Sequence, residues 1–341
     1  MTPSTVLVPR GSRCGALLPL RYDVGRSPAG PPRNIGADMR FSRAFPLAGG
    51  AALGAFAAVA EVPVSRSVDG HDTIPVMIDG KGPFPFILDT GADGGAVYAW
   101  FAQQQGLRKT GRTGELTGQT GATPVALYEL ADVAVDGHRL RDVTVFRLPD
   151  RHDEGREAGI LGNDFMDGVL VVFDFPCRTV ALHDKPVDED RIIGPGPDAV
   201  PAGRDEGSPL LPQPVTINGF TGPAVLDTGS RNSRLNSAFA SAAGIDAKSA
   251  QFHDGEAVFG ANSRAMVPRN GPLGHVGFAG VEIAGAEGQV IDLPMLEQDF
   301  GGKPAMLLGS DLLGGYRLLY DHQEHRIWIR PSRCQDRSRV R

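Results

Sequence analysis

Cysteine is scarce in this 341-residue chain. There are 3, too few for a disulfide scaffold and without zinc-ligand spacing. No G-x-S-x-G nucleophile elbow occurs, and no P-loop or dinucleotide fingerprint, so those hydrolase and nucleotide signatures are excluded. The uncharged run 44–60 is short for a membrane span and broken by glycines. Positive charge is scarce beyond the N-terminus. Residues 1–60 hold 7 Arg, no Lys and 2 Asp, a net of +5; the whole chain is −6, so the body carries −11. An acidic body lacks the basic footprint of a nucleic-acid binder.

Glycine and proline are plentiful instead, at 45 and 27 residues. With 41% apolar and 22% charged residues, this is globular composition. The turn formers point to short strands rather than long helices. The length predicts about two domains.

The first sixty residues read as processing rather than structure. Residues 1–38, rich in Arg, Pro and Gly, show no apolar period and are expected to be a disordered or non-native upstream extension. From Met39 the pattern changes. Arg40 and Arg43 precede the uncharged run, which closes on Ala58-Val59-Ala60. A basic start, a short apolar stretch and an A-x-A end predict a signal peptide over 39–60. The protein is then periplasmic or secreted if translation starts at Met39. No stable membrane association is expected after cleavage. Cys177 and Cys334 stay in the mature chain, where an oxidising compartment allows them to pair.

The remainder repeats itself. Phe86-Ile87-Leu88-Asp89-Thr90-Gly91-Ala92 matches Ala224-Val225-Leu226-Asp227-Thr228-Gly229-Ser230. Upstream, Val76-Met77-Ile78-Asp79-Gly80 matches Val215-Thr216-Ile217-Asn218-Gly219. Asp-Gly and Asn-Gly between apolar alternations predict a hairpin whose second strand ends in D-T-G. A second anchor pairs Ile160-Leu161-Gly162-Asn163-Asp164 with Leu307-Leu308-Gly309-Ser310-Asp311. The first offset is 138 residues and the second 147, so the later half carries nine more residues in its loops. The expected organisation is lobe 1 over 61–193, a Gly/Pro-rich linker over 194–209, lobe 2 over 210–330 and a basic tail over 331–341. Helices are expected at 100–106, at 237–243, and as short turns after Gly162 and Gly309.

A carboxylate delivered by an apolar strand is costly to ionise unless it is hydrogen-bonded. Two such halves about a pseudo-twofold axis would bring Asp89 and Asp227 together, where they share a proton. One is then a base and the other an acid beside a common water. Amide hydrolysis needs that pairing.

In these features the chain resembles the pepsin and retropepsin superfamily of aspartic proteases. Asp89-Thr90-Gly91-Ala92-Asp93 is close to the retropepsin form, and Asp227-Thr228-Gly229-Ser230 is nearer the pepsin form. The resemblance covers nearly all of 72–330. It implies a mainly β, bilobal fold with pseudo-twofold symmetry, and an aspartic endopeptidase with Asp89 and Asp227 as the catalytic dyad. Thr90 and Thr228 would hold the two loops together across the interface. Gly91 and Gly229 would offer backbone groups to the dyad or substrate. Asp93 matches a position that contacts substrate backbone; its counterpart is Arg231, so opposite charges there would favour one peptide polarity. Cleft-covering flaps are expected at 115–128, with its tip at 117–121, and at 259–272. The implied partner is a peptide or protein, with no cofactor and no metal, and a monomer suffices because both lobes share one chain.

Other repeated acids read as structural. Asp164 and Asp311 follow a glycine where Asp caps a helix, and Asp174 and Asp321 sit at strand turns. His322 and His325 lack a second pair to complete a metal site; His253 and His275 read as surface residues. A phosphate-binding D-x-G-[ST] loop of the actin and sugar-kinase type fits 227–230. It fails in lobe 1, where Ala92 takes the last place, and the long crossover helices are missing. An exported, non-catalytic peptide-binding module of the same fold stays open as the alternative.

Overall fold

In a computed structural model the described residues are 60–151, 154–203, 210–260 and 264–334. The expected extension 1–38, all of the expected signal peptide except Ala60, residues 204–209 of the expected linker and 335–341 of the tail lie outside them. No helix among the described residues is long and apolar enough to cross a membrane.

The repeat builds two closed sheets and a third that they share. In lobe 1, strand Asp72–Ile78 turns at Asp79 and Gly80 into Lys81–Leu88. Both turn residues have positive φ, 50° and 72°, the conformation that Asp-Gly favours in a two-residue hairpin. In lobe 2, Pro212–Ile217 turns at Asn218 and Gly219, φ 50° and 89°, into Phe220–Leu226. Each second strand then pairs in parallel with the later apolar segment, Leu88 opposite Leu161 and Leu226 opposite Leu308. Long antiparallel hairpins complete each lobe. Their last pairings, of Asp72–Ile78 with Gly121–Val135 and of Pro212–Ile217 with Arg269–Phe278, close each sheet on itself.

The shared sheet lies under both lobes. Its centre is the antiparallel pair Val169–Asp174 and Tyr316–Asp321, one strand from each half, flanked by Thr179–Asp184 and Arg326–Pro331. The outer strands are Val62–Pro63, paired with Thr179 and Val180, and Val200–Pro201, paired with Arg326 and Ile327. Val200 stands 138 residues after Val62. The second half of the repeat therefore begins inside the segment expected to be linker. Helix Glu189–Ile193, capped by the Asp188 side chain, also lies near that boundary and has no forecast in the sequence.

The core explains why the apolar strands read as nearly continuous runs. Helices Ala99–Gln105 and Ser237–Ala242 follow their D-T-G segments as expected, and each buries a phenylalanine completely. Phe101 meets Phe84 edge-on at 4.9 Å, and Phe239 meets Phe220 at 5.3 Å. Burying a Phe side chain is worth about 1.5–3 kcal/mol, and here it packs each helix against the strand that leads into its D-T-G loop. Asp321 is fully buried among Lys185 (2.6 Å) and Arg326 (2.9 Å), which fits its structural reading. Cys177 and Cys334 face each other as free thiols. His253 and His275 are exposed.

Candidate active site

Each D-T-G sits where an apolar strand leaves its sheet. The Asp89 N–H donates to Leu161 C=O at 2.9 Å, and the Asp227 N–H to Leu308 C=O at 3.0 Å, so the parallel ladder continues through the first residue of each loop. The glycine after each apolar pair then lets the two segments cross. A Cβ on Gly162 would lie 2.8 Å from Ala92 C=O, and one on Gly309 would lie 2.6 Å from the Asn232 carbonyl carbon. Asp164 and Asp311 work beside these crossings. Asp164 Oδ2 accepts from Gly95 N–H at 3.1 Å; Asp311 accepts from Ser233 N–H at 2.9 Å and from its hydroxyl at 2.6 Å. Each also accepts an N–H in the first turn of its own helix, from Phe165 at 2.9 Å and from Leu312 at 2.8 Å, so it latches the neighbouring loop and supports that helix start together.

Thr90 and Thr228 lock the halves together. Thr90 Oγ1 donates to Leu226 C=O at 2.8 Å and accepts from Thr228 N–H at 3.1 Å. Thr228 Oγ1 donates to Leu88 C=O at 2.7 Å and accepts from Thr90 N–H at 3.0 Å. All four bonds cross the lobe interface. Thr228→Val keeps the shape but strands Leu88 C=O and the Thr90 N–H away from water. A loss of about 2–4 kcal/mol is expected from two unsatisfied groups, with Thr228→Ser close to the parent. Denaturant unfolding checks this; a Val variant as stable as the parent would overturn it. Support continues beneath Thr90. Asn163 Nδ2 donates to Thr90 C=O at 3.2 Å, and Tyr320 Oη donates to Asn163 Oδ1 at 2.9 Å.

This lock brings the Asp89 and Asp227 carboxyls into hydrogen-bond contact. Each also takes a backbone donor from its own loop: Gly91 N–H to Asp89 Oδ1 at 2.8 Å, and Ser230 N–H to Asp227 Oδ1 at 2.8 Å. The glycines are required by approach rather than by φ. A Cβ on Gly91 would lie 2.7 Å from Asp227 Cγ, and one on Gly229 would lie 2.7 Å from Asp89 Oδ1. Burial, then the charge of Asp227, pushes Asp89 well above the usual carboxylate range. Burial raises Asp227 as well, opposed first by the guanidinium of Arg234. The pair therefore keeps a proton, and the two members are unlike.

The lobe 1 flap forms as expected, from strands Arg108–Gly118 and Gly121–Val135. Its tip residue Gln119 reaches Asp227, donating from Nε2 to Oδ2 at 3.4 Å. The expected lobe 2 flap is shorter. It is a two-residue hairpin, Val258–Phe259 with Ala265–Met266, and residues 261–263 lie outside the described set. From Arg269 onward the chain belongs to the closed sheet instead. Gly260 abuts the flap tip, since a Cβ there would lie 2.7 Å from the Thr120 nitrogen.

Asp93 and Arg231, matched by the repeat, lie in unlike surroundings. Arg231 donates to the Asp69 carbonyl and is tied into the lobe 1 wall. Asp93 is exposed at the surface, but protein crowds its carboxyl on one side. Desolvation, then the charge of Asp299, pushes it up to about 6. Asp69, His71 and Glu157 bring possible ligand atoms within 4.8 Å of one another. The Arg151 guanidinium already pairs with Asp69 and lies 3.6 Å from Glu157, so that cluster holds its own cation.

Two residues of the network beside the dyad had no forecast, Arg234 and Gln289; Gln119 was expected only as part of the flap tip. The signal was in the repeat. At the 138-residue offset Arg234 replaces Ala96, a charged residue where the first half buries a methyl group.

A family model described as aspartyl protease matches residues 74–165 and 213–312, one segment in each lobe. A search among curated proteins finds no match to this chain.

Proposed function

Because the chain belongs to the aspartyl protease family, we propose that it is an endopeptidase that hydrolyses peptide bonds between Asp89 and Asp227. The observation that carries this reading is the mutual contact of two buried carboxyls with unlike surroundings. Asp227, beside Arg234, is the ionised member and takes a proton from water. Asp89, held protonated, donates to the scissile carbonyl oxygen. The hydroxide adds to the carbonyl carbon, giving a tetrahedral diol. Its C–N bond breaks as the proton on Asp227 passes to the leaving nitrogen and a diol proton returns to Asp89. No covalent intermediate with the enzyme forms, and the pair ends as it began.

The substrate lies extended between the lobes, under the flap, bonded through its backbone in the manner of an added strand. A monomer suffices, since the chain supplies both carboxyls. Export belongs to the same reading, resting on the run 44–60 behind Arg40 and Arg43.

The test is a diverse peptide pool, incubated with the protein from acid to neutral pH, with new termini read by mass spectrometry. Both dyad members are raised, so on acidification the base is protonated sooner than an ordinary carboxylate would be. Activity near pH 6 is expected to exceed that near pH 3, and a maximum at pH 2–3 would contradict the assignment. A folded protein that cleaves nothing but binds a hydroxyl-bearing peptide inhibitor would favour the peptide-binding module.

A further inference from the structure

The pseudo-symmetry of the site breaks at one place. In lobe 1, Ala96 lies opposite Phe146 in the parallel ladder. The equivalent pair in lobe 2 is Arg234 opposite Gln289. The repeat places Ser230 where lobe 1 has Ala92. An apolar patch under one carboxyl thus becomes a polar network under the other.

Arg234 is 7% exposed and engaged through Nε and Nη1. Its Nε donates to Gln289 Oε1 at 2.8 Å. Its Nη1 donates to Ser230 Oγ at 2.8 Å and to Gln119 Oε1 at 2.8 Å. Gln289 is held in turn by Asn270, and Ser230 Oγ donates to Asn232 C=O at 2.9 Å. The Gln119 amide is therefore oriented at both ends. Its oxygen accepts from the guanidinium, and its nitrogen points at Asp227 Oδ2. A buried guanidinium costs several kcal/mol to desolvate unless it is paired, so its presence beside one Asp alone needs a counter-charge.

We propose that Arg234 is the positioning residue that makes the dyad unequal: it holds Asp227 as the carboxylate of the pair and seats Gln119 of the flap over it. The inference rests on Asp89 and Asp227 being the working pair. The charged groups around the arrangement are few. Asp89 faces Asp227 from lobe 1. Asp227, Arg231 and Asp311 surround Arg234 from lobe 2. Arg231 opposes the Arg234 charge, while Asp227 and Asp311 favour it, and burial lowers it first. Asp311 is itself occupied by Ser233. Asp227 is thus the carboxylate that Arg234 has left to balance.

The experiment follows the Asp227 carboxyl by carbon-13 NMR in the full chain, with the signal assigned by its loss in Asp227→Asn. In Arg234→Met the Asp227 midpoint is expected to rise by about one unit or more, a tenfold change in its ionisation. The acid limb of kcat/KM should move with it, while the limb set by Asp89 moves less. Arg234→Lys keeps the charge but loses the fork, so the midpoint should stay and KM should rise. Gln119→Ala should raise KM and leave the acid limb in place. A folded Arg234→Met with an unmoved midpoint overturns the proposal. If Arg234→Met does not fold, a shifted midpoint in Arg234→Lys does so instead. Uniform loss of kcat at every pH, with no shift, would mark Arg234 as structural only. A protein that titrates as described but cleaves no peptide would remove the endopeptidase reading and leave the Arg234 assignment standing.

Discussion

Asp227→Asn is expected to lower peptide cleavage by about 10,000-fold, the upper range for removing a positioned acid–base group. The variant should keep its fold, because Oδ1 still accepts from Ser230 N–H. The change removes the base and leaves Arg234 without its nearest counter-charge, and it changes no volume. Asp89→Asn is expected to be as inactive for a different reason. It removes the proton that the scissile oxygen receives, and with it the Asp89 hydrogen bond that favours ionised Asp227. The two variants should therefore differ in the pH dependence of inhibitor binding even though neither turns over substrate. Calorimetry across pH 4–8 would separate them. Parent-level cleavage by purified Asp227→Asn would show that another site does the chemistry.

The legible and the hidden parts of this fold divide along a physical line. Turns and strand ends were readable because each depends on a few adjacent residues. Asp79-Gly80 and Asn218-Gly219 fixed both hairpins, and those hairpins put Asp89 and Asp227 at strand ends. The second anchor of the repeat paired the segments that cross at Gly162 and Gly309, while the crossing itself came from the structure. Long-range polar contacts were not readable. Gln119 meets Arg234 across 115 residues of chain, and no local pattern marks their pairing. Composition misled at the linker. Gly and Pro around 194–203 concealed that Val200-Pro201 repeats Val62-Pro63, and that a two-residue strand there extends the shared sheet. Helix Pro294–Phe300 carries a proline at its start, the ordinary sign of a helix N-terminus, and was missed because lobe 1 offers no partner for it.

Arg231 shows the same limit from the other side. Its sequence position matches Asp93, but nothing in the repeat foretells that its guanidinium donates to the Asp69 carbonyl of lobe 1. Local symmetry places the backbone, and the opposite lobe decides where a long side chain ends.

That dependence of one lobe on the other is sharpest at the glycines. Gly229→Ala is expected to abolish cleavage and to destabilise the fold by about 1–3 kcal/mol, the usual cost of forcing a methyl into filled space. The new Cβ would lie 2.7 Å from Asp89 Oδ1 and closer still to its Cγ. Asp89 cannot retreat without giving up the Gly91 N–H at 2.8 Å. The loops cannot part without breaking the four Thr90 and Thr228 bonds. The strain therefore falls on the distance between the two carboxyls. A separation that stops them sharing a proton ends catalysis while the fold survives. Gly314→Ala is the control. Gly314 is right-handed helical at φ −58°, and its nearest prospective contact is 3.9 Å away. It should be neutral or slightly stabilising, since Ala loses less backbone entropy on folding. Paired melts and cleavage assays of the two variants decide the matter, and Gly229→Ala turning over at the parental rate would mean that the carboxyls need not touch.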